Sequence, residues 1–64
     1  MADYTKQVIN ILIDYKCYFV RHGKGSHNIW FSPILNRSFT VVGKIENRHT
    51  ANEILKDAGI DKKV

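Results

Sequence analysis

The sequence predicts an α+β fold: a two-layer α-β-β-β-α arrangement, with a three-stranded antiparallel sheet and both helices on one face. Three observations predict it. Apolar residues recur at helical spacing near each end of the chain, the middle stretch changes to strand-like composition, and a glycine turn and a proline cut that stretch into three. With 64 residues there is room for a single domain, 1–64, and none for a two-domain cleft or a dinucleotide cradle.

The first helix is expected from about Tyr4 to Tyr15, where Tyr4, Val8, Ile11, Leu12 and Tyr15 share one face. Ile9 and Ile13 widen that stripe, and Asp3 is placed to cap the helix. Cys17 to His22 is aromatic and β-branched and reads as a strand. Gly23-Lys24-Gly25-Ser26 is the strongest turn signal in the chain, because paired glycines permit positive φ. His27 to Ser32 is the second strand, stopped by Pro33, and Ser38 to Val42 is the third. Thr50-Ala51-Asn52-Glu53 has the form of a capping box at the start of the closing helix. Ala51, Ile54, Leu55 and Ala58 form that helix's buried stripe, Gly59 suits a left-handed C′ position, and Ile60 folds back as its apolar contact. The tail beyond is expected to fray.

Composition narrows the function classes. An apolar fraction of 44% is that of a folded chain. The lone Cys17 excludes an internal disulfide framework and points to a reducing compartment. No run of 18 apolar residues spans a membrane, and the opening Met1-Ala2-Asp3-Tyr4 has no export-signal core, so a cytoplasmic protein is expected. The net charge of +4 is unevenly spread. Between Lys16 and Arg48 six bases face one acid, Glu46, whereas the flanks carry four bases against five acids. A basic middle concentrates polyanions, and nucleic acid is the natural partner.

Several chemistries fail on spacing. Cys17, His22, His27 and His49 offer ligand types for a metal, but there is no Cys-x-x-Cys or His-Glu-x-x-His, and strand parity places Cys17 and His22 on opposite faces. Neither a metal nor another cofactor is expected. Ser26 and His27 are adjacent, which aims them apart on a strand and away from nucleophile–base contact. Acid–base pairs of carboxylates fail because five of the six acids lie in the flanks.

What remains is His27, opening a strand directly after the glycine turn. The N–H groups of Gly25 and Ser26, with Lys24, are suited to a phosphate, and imidazole is the side chain whose charge changes near neutral pH. RNA supplies its own nucleophile, the 2′-OH, so one base on a positive surface is a minimal ribonuclease. Arg21, Lys24 and Arg37 are candidate phosphate contacts, and Trp30 is a candidate for stacking on a base or for anchoring the sheet. Tyr18 and Phe19 read as packing residues. A lone histidine at a strand start is more often structural than catalytic. Alternation also sets His27, Ile29 and Phe31 on one face, so a core built on Ile29 and Phe31 turns His27 inward unless a bulge re-aims it.

Gly25-Ser26-His27-x-x-Trp30 resembles the Gly-Ser-His-x-x-aromatic signature of the HicA (YcfA-like) toxin family. Ile54-Leu55-Lys56-Asp57-Ala58-Gly59-Ile60 is similar to that family's closing helix, and Thr50 falls at the Thr of its Gly-Thr-Leu helix start. The resemblance implies a double-stranded-RNA-binding-like fold and an mRNA interferase of a type II toxin–antitoxin module. It implies His27 as the essential histidine and a HicB-like antitoxin as partner. The chain departs from the family pattern at Cys17, where glycine is usual, and at Val41-Val42-Gly43-Lys44, which replaces a Val-Pro-x-His stretch. His49 is the one later histidine. Two alternatives from the residues alone are a non-catalytic RNA-binding module of the same fold and a protein-interaction domain with an acidic partner.

Overall fold

A computed structural model describes residues 3–64; Met1 and Ala2, where the expected domain begins, lie outside the described residues. The order is α1 (Thr5–Asp14), β1 (Tyr18–His22), β2 (His27–Ser32), β3 (Arg37–Val42) and α2 (Arg48–Asp57). The strands form one antiparallel meander in the order β1-β2-β3. The α-β-β-β-α class is therefore the observed one.

Both helices cover one sheet face. Trp30 and Phe39 face each other across β2 and β3, and with Val41 they join Val8, Leu12 and Leu55 in a single core. Ile29 and Phe31 belong to the other face and stay half-buried. Both faces of β2 carry large apolar residues, so alternation alone does not decide which is inside. The helices decide it: the inner face is that of Trp30, so the condition under which His27 would turn inward is not met. Ser32 is the one buried polar residue among the described residues, and it lies on the inner face. Its hydroxyl donates to the Ala58 carbonyl at 2.6 Å, which ties β2 to the end of α2.

The two helices end alike. Gly59 sits at φ +80° after α2, with its N–H on the Lys56 carbonyl and the Ile60 N–H on the Leu55 carbonyl, both at 2.9 Å. Ile60 is buried as the accompanying apolar contact. The same pair of bonds closes α1, from Lys16 to Ile13 and from Cys17 to Leu12, with Lys16 at φ 69° and Cys17 buried. A lysine there accepts the left-handed strain that glycine avoids. Burial pushes the Cys17 thiol up from its ordinary value.

Several expectations about the helices are corrected. The start of α2 is not at the Thr50–Glu53 box: Asn47 caps it, its side chain accepting from the N–H groups of His49 (2.7 Å) and Thr50 (3.4 Å). Asparagine is at least as good a cap as threonine and comes one turn earlier. Tyr15, expected on the apolar face of α1, and Ile13, expected to widen it, are both exposed; the buried residues are Val8, Ile11 and Leu12, with Tyr4 and Ile9 partly buried against them. The tail is not frayed, since the Val64 N–H reaches back to Asn52 Oδ1 at 2.9 Å. The N-cap position of α1 is Tyr4 rather than the expected Asp3, but Asp3, one residue earlier, accepts from the Thr5 N–H at 3.0 Å, and that bond holds its carboxyl below the ordinary value of 3.8. The interaction is present above the usual Asp range and fades as pH falls through the lowered value.

Replacing Asn47 with alanine is expected to cost about 1 kcal/mol, or a Tm roughly 4–8 °C lower for a domain of this size. Thr50→Ala, by contrast, should move Tm far less. Thermal melts of the two variants side by side check the assignment, and the reverse ranking contradicts it.

Candidate functional site: the glycine turn and the outer sheet face

The outer face of the sheet is assembled by register. His27 pairs with Val42, Ile29 with Thr40 and Phe31 with Ser38, so these side chains share the face that no helix covers. On the β1 side, Tyr18 pairs with Phe31 and Arg21 with Ile29. Between Phe19 and Arg21 the register slips at Val20, a bulge. Without that extra residue Arg21 would point to the helix side; with it, Arg21 stands diagonal to His27. The bulge also overturns the parity argument that separated Cys17 from His22. Both now lie on the inner side, Cys17 buried and His22 exposed at the other end of β1. Among the described residues no group of three metal-ligating side chains is present.

His27 is exposed, as are Lys24, Gly25 and Ser26 before it. The turn is closed by the His27 N–H on the Lys24 carbonyl (3.1 Å) and the Gly23 N–H on the His27 carbonyl (2.8 Å). The N–H groups of Lys24, Gly25 and Ser26 have no partner among the described residues. Gly25 takes φ +63° with open space around it, so glycine serves the conformation there. Gly43 serves a close approach instead: a Cβ on it would lie 2.7 Å from the Ser26 carbonyl oxygen. The end of β3 thus acts as the seat of the turn. Gly43→Ala is expected to displace the turn, costing about 1–3 kcal/mol of stability. Amide chemical shifts of residues 23–27 will report the displacement, and unchanged shifts there refute this role for Gly43.

The sheet itself carries no carboxylate. Its basic side chains are Arg21, His22, His27 and Arg37, and Tyr18 adds a phenol. His22 Nδ1 lies 3.0 Å from Asn28 Oδ1 at the turn end of the inner face, with the Phe19 ring 5.2 Å from its own. Tyr18 and Phe31 stack on the outer face with centroids 5.5 Å apart.

Of the residues singled out in the sequence, His27, Arg21, Lys24, Gly25 and Ser26 come together at the turn. Two do not. Trp30 is only 7% exposed and is a core residue, so its candidacy for base stacking is corrected. Arg37 opens β3 opposite Ser32, about 17 Å along the sheet from His27 and on the inner side, so it is removed from the site. Tyr18 and Phe19, read as packing residues, are instead 54% and 45% exposed. His49 stands in the first turn of α2 and lines an open cavity of about 480 Å³ between that helix and the tail, which none of the turn residues reaches. Tyr18 and Gly43 are the site residues sequence reasoning missed. The signal for Tyr18 was the aromatic preceding the bulge, unreadable without its register. Comparison with protein-family models, curated proteins and solved structures returns no match.

Proposed function

We propose that this protein is an RNA-cutting toxin, an endoribonuclease that acts on mRNA in the cytoplasm and is neutralised by an acidic HicB-like antitoxin. The observation that carries the reading is the exposed His27 beside a glycine turn with open N–H groups, on a sheet face that bears Arg21 and no carboxylate. The resemblance of Gly25-Ser26-His27 and of Ile54–Ile60 to HicA motifs supports the same conclusion. Among the described residues no helix is long and apolar enough to cross a membrane.

In this reaction the His27 imidazole takes the proton of a ribose 2′-OH. The 2′-oxygen forms a bond to the adjacent phosphorus as the bond from phosphorus to the 5′-oxygen breaks. Arg21, Lys24 and the turn N–H groups offset charge on the non-bridging oxygens. The departing 5′-oxygen takes a proton from solvent, leaving a 2′,3′-cyclic phosphate and a 5′-hydroxyl. Cleavage of an end-labelled RNA is expected to continue in EDTA and to stop when the cut-site ribose is 2′-deoxy. Inhibition by EDTA, or cleavage of the deoxy substrate, overturns this mechanism.

The inhibitor is expected to occupy the same face. A standard interface takes about 800 Å² from each partner, and the whole molecule exposes 4487 Å². Added RNA should therefore compete with the antitoxin rather than join the complex.

A further inference from the structure

We infer that the Tyr18–Phe31 pair is a stacking platform that selects unpaired RNA, binding a base that flanks the cut site. This rests on the RNA reading above and names the substrate form it takes. Phe31 follows His27 by four residues on the same strand and the same face, about 13 Å away. Tyr18 lies directly across from Phe31 and is 54% exposed, and the two rings are tilted by 34°. Among the described residues no helix or loop covers this half-open aromatic surface.

Charge says what covers it. Arg21 lies between the aromatic pair and His27 on this face, Lys24 follows at the turn, and Ser38 and Thr40 alone supply the polar remainder. A face with aromatics and bases but no carboxylate suits an extended polyanion whose flat groups are available. Single-stranded RNA has both properties. A duplex does not, because its bases are stacked inside and present no π-face to a sheet. The bulge at Val20 fits the same purpose, since it brings Arg21 to the side on which Tyr18 already points.

The test uses the full chain and a fluorescein-labelled 2′-O-methyl oligonucleotide, which lacks the 2′-OH and stays intact. Binding is followed by anisotropy at fixed salt. Tyr18→Leu is expected to weaken binding roughly 10-fold, while Tyr18→Phe, which keeps the ring, stays within about 2-fold of the parent. The slope of affinity against salt should be the same for all three, because no phosphate contact changes. Annealing the oligonucleotide to its complement should abolish the difference and weaken binding by the parent. Thermal melts of Tyr18→Leu establish that it is folded, and Phe31→Leu, read the same way, provides a second variant. Parent-like binding by both leucine variants overturns the platform, as does a duplex bound as tightly as the single strand. If Arg21→Ala and Lys24→Ala still weaken binding in that event, the RNA reading survives without the platform. Absence of oligonucleotide binding by the parent overturns both.

Discussion

His27→Ala is expected to lower RNA cleavage by about 10²–10⁴-fold, the range that one general base contributes. Stability should hardly move. The side chain is exposed at the first residue of β2, and its ladder partners are main-chain groups that alanine retains. Surface substitutions of this kind stay within about 0.5 kcal/mol. Affinity for an uncleavable oligonucleotide should also persist, since Arg21, Lys24 and the turn remain. Cleavage assays, melts and binding measured on one preparation separate the possibilities. Cleavage at the parent rate removes His27 from the chemistry, and loss of binding in step with cleavage makes it a phosphate contact rather than a base.

Trp30→Ala is expected to have the largest effect on stability, about 3–5 kcal/mol for truncating a buried aromatic. Trp30 faces Phe39 across the sheet and meets the Phe19 ring edge-on at 6.3 Å, so its loss opens a void between the strands and both helices. At roughly 0.05–0.15 kcal/mol per residue, a chain of 64 residues has little stability beyond that amount. The variant should be largely unfolded at 37 °C by circular dichroism, and Trp30→Phe should recover much of the loss. A folded Trp30→Ala protein that fails to bind RNA would return Trp30 to the nucleic-acid surface.

The element order was readable because each boundary has a local cause: paired glycines between β1 and β2, Pro33 after β2, and Gly59 after α2. The turn cluster was readable for the same reason, as Arg21, Lys24 and His27 are close in the chain. What stayed hidden depended on register. Phe31 and Trp30 are adjacent aromatics on one strand, and only the position of the helices assigns one to the core and the other to the surface. A bulge leaves no compositional mark, so the side taken by Arg21 and His22 could not be counted from Cys17. The start of α2 was misplaced because two good capping residues, Asn47 and Thr50, stand one turn apart, and local rules do not rank them.

The bulge at Val20 has a second effect, on how copies of the protein behave at high concentration. β1 is an edge strand, and Tyr18, Phe19 and Val20 are all about half exposed along it. A regular edge of that composition is a template onto which another chain can add a strand, the first step of aggregation. The extra residue breaks the even row of free N–H and C=O groups, and Arg21 and His22 place polar side chains immediately after it. An exposed aromatic surface can then persist on a small domain because the backbone beside it is a poor template for self-association.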